Sequence, residues 1–197
     1  MSEIHDLVLP LAPERARLLA VGDMVRLTGQ VTVSIGIPTH KRMAEMVERG
    51  EPLPVDLHHG AFFHLSTYVR DTTGGPVPLY INPSTSTRYN AWMPDLVRRL
   101  GLTLVGGKGG LDAESVAALK EVGCVYLSFL GGGSPLLSRA LRTVVSSHWN
   151  EYISQFRLLT LDVDALGPAT VAIDAHGNSL YQQLHDAATR RLPQLLA

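Results

Sequence analysis

The chain has 197 residues, of which 45 % are hydrophobic and 18 % charged, and its net charge is −1. That suits one ordinary domain with a sizeable core, and it gives no electrostatic case for nucleic acid or an anionic membrane as a partner. No apolar run reaches the length of a membrane span, the N-terminus lacks the basic region and apolar core of a secretory signal, and a single cysteine, Cys124, excludes an intrachain disulfide and fits a cytoplasmic setting.

In chain order, residues 1–12 read as a loose arm or a partner-contacting segment and 13–197 as one domain. Pro13 and Glu14 open a short helix over 13–20. Residues 24–35 are rich in Val and Thr and read as a strand, with Gly29 as a candidate bulge. Pro38 then opens a helix that Gly50 closes, and its first turns carry His40, Lys41 and Arg42. A basic cluster beside a positive helix end is mildly unfavourable unless an anion shares it. Residues 51–60 form a Pro-rich loop with adjacent His58 and His59, residues 61–69 a strand, 71–76 a turn, and 77–81 a returning strand.

The stretch 79–111 carries the chemistry. A short strand runs into Asn82, Pro83 and four hydroxyl residues, Ser84 to Thr87, followed at once by Arg88. An amphipathic helical pattern continues to Leu100 and stops at Gly101. The next strand, 102–105, empties into Gly106, Gly107, Lys108, Gly109 and Gly110. Hydroxyls and free backbone N–H groups at a helix N-terminus favour negative charge. Arg88 adds a fork that fits a carboxylate, and glycines around Lys108 let a ligand approach the backbone. Either half alone reads as a capped helix or a glycine turn with a surface cation. Both together, at the ends of consecutive strands, read as an anion site.

Residues 111–122 form a helix capped by Asp112 and ended by Gly123, and 124–130 a buried strand holding Cys124 as a packed thiol. Gly131 to Pro135 opens another helix, extended to about Val145. Residues 147–156 are irregular, 157–163 and 169–173 are strands, and 178–192 a last helix that Pro193 follows. Strands and helices in this order imply an α/β domain with a mixed sheet.

The segments NPSTSTRYN and VGGKGG resemble the signature of the C-terminal domain, or β subunit, of iron–sulfur class I fumarases and L(+)-tartrate dehydratases, where Gly-Pro-Thr-Thr-x-x-Arg-Met-Asp precedes Gly-Lys-Gly. VGDMVRLTGQVTVS with THKR, YLSFLGGGSPLLSRAL and LDVDALGPATVAIDAHGNSL extend the likeness over roughly residues 13–180 in the family's order. The resemblance implies a swivelling β/β/α domain with a mixed sheet and flanking helices. It implies a hydro-lyase subunit that dehydrates a small 2-hydroxy dicarboxylate of the malate or tartrate type. Ser84 takes the place of the family's threonine base, with Lys108 as its catalytic partner; Arg42, Arg88, Thr85 and Lys108 bind the substrate carboxylates. His40 and Lys41 take supporting roles. A 4Fe–4S cluster needs several thiolates, so the resemblance places it on a cysteine-bearing α-type partner subunit, with none on this chain. The assembly implied is a hetero-oligomer or a homodimer of the β chain. Asn82 in place of Gly, and Tyr89-Asn90 in place of Met-Asp, leave the diacid open between fumarate or malate, tartrate and mesaconate.

Competing motifs fail. Lys108 lacks the P-loop's preceding glycine and following hydroxyl residue, the glycines do not spell a dinucleotide fingerprint, and no Cys/His spacing suits structural zinc. Two alternatives stand beside the hydro-lyase reading: a non-catalytic dicarboxylate-binding or regulatory module of the same fold, and a metal enzyme built on His58, His59 and His64.

Overall fold

The computed structural model describes residues 4–196. Nine strands and six α-helices follow one another along them. The main sheet has the order β1 (Ile4–Val8), β2 (Met24–Val33), β3 (Ala61–Phe63), β6 (Leu104–Gly107), β7 (Val125–Phe129), β9 (Leu158–Ile173) and β8 (Leu141–His148). Strands β1, β2, β3, β6 and β7 run parallel, while β9 is antiparallel to its neighbours. β2 also pairs with β9, so β2, β3, β6, β7 and β9 close into a ring. Strands β4 (Leu65–Thr72) and β5 (Gly75–Pro83) form a separate two-stranded ribbon. The mixed sheet with flanking helices is the expected α/β architecture. No helix among the described residues is long and apolar enough to cross a membrane.

Alternating side chains make the ring a wall between two cores. Phe63, Leu104, Val125 and Leu127 fill one side with Val25, Leu27 and Leu161. Phe62, Val105 and Tyr126 fill the other against α2 (Ile37–Glu48), α3 (Met93–Leu100) and α4 (Ala113–Val122). Helix α3 presents Met93, Leu96 and Val97, all fully buried, to that second core; each such side chain contributes about 1.5–3 kcal/mol by leaving water. Gly101 and Gly123 adopt left-handed backbone after α3 and α4, as expected of C-terminal caps. Asp112 caps α4 by accepting from the Ser115 N–H at 3.0 Å.

Several elements differ from the sequence reading. The expected arm contains the edge strand β1, and Leu7, Leu9 and Leu11 are buried in the first core; residues 1–3 lie outside the described residues. The strand expected over 61–69 breaks at His64, where the chain leaves the main sheet for the ribbon. The hydroxyl run does not open an α-helix. Ser86–Tyr89 make a single 3₁₀ turn, and α3 begins only at Met93, where Pro94 takes the first turn. The helix after the triple glycine, α5 (Ser134–Ser138), is short, because Thr143, Val144 and Val145 belong to β8, where Thr143 and Val144 pair with β9. The two strands expected over 157–173 are one long β9, with Ala165 and Gly167 at positive φ in its middle. Pro193 lies inside the last helix, α6 (Leu180–Leu196).

Candidate functional site

The hydroxyl loop and the glycine–lysine loop are clasped by main-chain bonds. Lys108 N–H donates to Ser84 O and Ser86 N–H donates to Lys108 O, both at 2.9 Å, so Thr85 and Lys108 pair as in a parallel sheet. Paired residues project to the same face and their neighbours to the opposite one. Thr85 and Lys108 therefore share one face, while Ser84 and Ser86 turn to the other. Gly107 permits the clasp: a Cβ there would lie 2.3 Å from Ser86 Oγ and 2.9 Å from Ser84 O.

On its face, Lys108 runs past the turn that follows β7, with its Cδ 3.5 Å from where a Gly131 Cβ would stand. Among the described residues it is the one charged side chain lining a cavity of about 420 Å³ that also includes Ser128, Gly131 and Tyr181, with Phe129 and Leu136 as apolar walls. Tyr181 Oη donates to Ser128 Oγ at 3.0 Å, and the Tyr181 ring fills the space that Gly110 leaves open.

The opposite face is buried and aromatic. Ser84 is 8 % exposed, and its N–H donates to His64 O at 2.8 Å. His64 Nδ1 meets Ser86 Oγ at 2.8 Å, and Tyr126 Oη donates to the same oxygen at 2.8 Å. Tyr89 donates to Ile35 O at 2.7 Å, just ahead of α2, and its ring stacks on His40 at 4.0 Å. Burial drives every titration here. It lowers His40 to about 4, lowers His64 well below the ordinary imidazole value with help from His40, and pushes the Tyr89 and Tyr126 hydroxyls up. All four groups are neutral near neutral pH.

The expected meeting of three cations is not what the fold builds. Arg88 is exposed at the end of the 3₁₀ turn and makes no salt bridge among the described residues. Arg42 sits instead on the outer side of α2, bonded to Glu151 Oε1 at 2.6 Å with its guanidinium 4.7 Å from the centre of the Trp149 ring. It lines a groove with Lys41, Arg49 and Tyr152, apart from the Lys108 cavity. His40, expected in a supporting basic cluster, is fully buried and belongs to the aromatic floor; Lys41 is mostly exposed. The buried floor itself was missed. Its one local sign was a histidine ending an apolar strand, which marks a core histidine as readily as a functional one.

The metal alternative fails on position. His58 and His59 lie against each other with ring centroids 3.9 Å apart, whereas His64 packs on His40 and Tyr89. Among the described residues no three His, Cys, Asp or Glu side chains are grouped to hold a metal. Cys124 is buried, and burial pushes its thiol up, away from the thiolate a cluster requires. This chain's residues therefore do not fit an iron–sulfur cluster as its ligands.

Comparison with known proteins gives one consistent answer. The family model described as Fumarase C-terminus matches residues 4–184. The L(+)-tartrate dehydratase subunit beta of Escherichia coli is 28 % identical over 88 % of this chain and 85 % of its own length. A protein of Methanocaldococcus jannaschii, provisionally named L(+)-tartrate dehydratase subunit beta, is 28 % identical over 94 % of this chain and 95 % of its own. A Geobacillus stearothermophilus protein, provisionally named fumarate hydratase class I, is 29 % identical over 94 % of this chain, which spans 35 % of that protein.

Proposed function

Because the chain belongs to the Fumarase C-terminus family, we propose that it is the β-type subunit of a hydro-lyase that reversibly dehydrates a small 2-hydroxy dicarboxylate. A separate, cysteine-bearing α-type subunit would hold the 4Fe–4S cluster, and no step assigned to this chain passes through that group. The observation that carries the reading is the clasp between the two loops. It ties a hydroxyl loop and a glycine–lysine loop together at the ends of β5 and β6, with a cation on each loop.

In this reading Lys108 and Arg88 bind the substrate carboxylates, and Thr85, beside Lys108, donates a hydrogen bond to one of them. Arg42, engaged with Glu151, is left out of the set. Ser84 takes the C3 proton. Its Oγ must first be an alkoxide, which only nearby cations make accessible; Lys108 is tied to Ser84 through the main chain but projects to the opposite face, which leaves Arg88, on the same loop as Ser84, as the cation for that task. The C–H electron pair then forms the double bond as hydroxide departs from C2. Ser84 Oγ carries the proton afterwards and returns it in the reverse, hydrating direction.

The test uses the chain assembled with its cluster-bearing partner. Ser84→Ala is expected to abolish turnover while diacid binding survives, and Thr85→Val to raise KM with turnover largely kept. Turnover unchanged in Ser84→Ala removes that residue from the mechanism. The diversion of Arg42 favours a second reading, a dicarboxylate-binding module without catalysis. That module binds diacid with no companion chain, and it co-purifies with no iron–sulfur absorbance.

A further inference from the structure

Helix α6 is seated only at its root. Leu180 and Tyr181 pack on the second core, and Tyr181 Oη donates to Ser128 Oγ. None of the 17 residues of the helix is buried, and at 1.5 Å per residue it extends about 25 Å. At about 100° per residue, Tyr181, Leu184, Ala188, Leu192 and Leu195 fall on one stripe about 80° wide. His185 and Arg191 flank that stripe, while Gln182, Asp186 and Arg190 lie on the opposite side. The apolar face that seats the root therefore runs on along the helix, uncovered by any described residue. Leu184, Leu192, Leu195 and Leu196 are 61 %, 52 %, 74 % and 78 % exposed. Four leucines bared along one helix mark a surface that meets another protein chain.

The order of residues along α6 says which chain. It reads nearly alike in both directions from Ala188. Four residues away stand Leu184 and Leu192, six away Gln182 and Gln194, seven away Tyr181 and Leu195, and eight away Leu180 and Leu196. A two-fold axis through Ala188 sets each such position of one helix level with its counterpart on an antiparallel mate, which is the self-complementarity of an isologous interface. A surface for an unrelated chain has no need of that symmetry. We propose that two copies of this chain pair their α6 helices antiparallel about Ala188. Leu184 of each copy then meets Leu192 of the other, and the small Ala188 side chain lets the helices approach where they cross. Leu195 of the second copy reaches Tyr181, which lines the Lys108 cavity. Asp186 stands level with Arg190 of the second copy, so unlike charges match along the pair. Covering four leucines on each copy, with the flanks beside them, reaches the roughly 1,000 Å² that a specific interface needs. The family match ends at residue 184, so most of this surface lies outside it, and the proposal does not depend on the hydro-lyase reading.

Sedimentation of the full chain without a companion is expected to give twice the mass of one chain. Changing Leu184→Asp together with Leu192→Asp is expected to halve that mass and leave the circular dichroism unaltered, because both side chains are already exposed. Cysteine coupling reads the geometry, and the native Cys124 is buried and takes no part. Under mild oxidation Ala188→Cys should couple to itself, and Leu184→Cys only when mixed with Leu192→Cys. A single mass for the unaltered chain at every concentration, a dimer that survives the double aspartate change, or coupling of Leu184→Cys to itself overturns the proposal. So does a double variant whose one loss is the binding of a cluster-bearing companion, because the stripe then serves that chain. Should the double variant fail to fold, the coupling pattern decides alone.

Discussion

Arg42 and Arg88 stand at similar places in the chain and meet opposite fates. Each follows a strand on a helical segment: Arg42 in the second turn of α2 after β2, and Arg88 at the end of the 3₁₀ turn after β5. Arg42 is neutralised by Glu151 and laid over Trp149, both from the segment after β8. Arg88 has no carboxylate within reach among the described residues. An arginine with an internal counter-ion has its fork occupied, so an anion would have to displace a bond that already exists. An arginine left without one, on a loop clasped to a lysine, keeps its donors for a ligand. The difference shows that a role carried over by motif position holds only where the fold leaves the side chain uncommitted.

The largest effects should separate these two arginines. In the assembled enzyme, Lys108→Ala and Arg88→Ala are each expected to lower kcat/KM by about 10²–10³-fold, the usual cost of removing one preorganised charge contact. Steady-state kinetics on the same diacid checks both. A loss confined to one of them would narrow the site to that loop.

Next in size is the pH dependence of the floor. Above pH 6.5 both histidines are neutral folded and unfolded, and the stability is fully present. Below it the unfolded chain takes protons that folded His40 refuses until about 4. Stability therefore falls as pH drops through that window, by about 3 kcal/mol for His40, with His64 acting in the same direction. Urea unfolding at about pH 7 and about pH 4.5 measures it, and the slope should flatten in His40→Phe. Ser86→Ala follows, at about 1–3 kcal/mol, because it strands Tyr126 Oη and His64 Nδ1 in a buried site. It is read from the shift in denaturant midpoint.

How much of this was legible depends on where each determinant lies. Gly101, Gly123 and Asp112 act on their own turns, so the helix ends they fix could be read locally. The pairing of the two loops followed from consecutive strands ending in hydroxyls and glycines. The start of α3 was misplaced because the apolar period extends back to Trp92, while Pro94 and the 3₁₀ turn set the boundary. The floor was hidden for a different reason. His40 reads as one member of a basic run, and only the packing of α2 against the 3₁₀ turn reveals that it points inward at Tyr89. Arg42 depended on Glu151, 109 residues further along the chain, and no local pattern encodes that.

The smallest expected effect is also the sharpest check on the comparison. The Arg42–Glu151 pair is solvent-exposed, with side chains 41 % and 58 % accessible. Such pairs contribute about 0–1 kcal/mol, and the contact with Trp149 adds about 0.5–1 kcal/mol at an exposed site. Arg42→Ala should therefore lower stability by about 1–2 kcal/mol at most and leave KM and kcat within about two-fold of the unaltered enzyme. Glu151→Ala releases the guanidinium without removing it, so it separates the two roles. If Arg42 is only a strut, freeing it changes nothing in the kinetics. If instead Arg42→Ala raises KM and Glu151→Ala lowers it, the arginine swings between its counter-ion and the substrate, and the contrast drawn with Arg88 is lost.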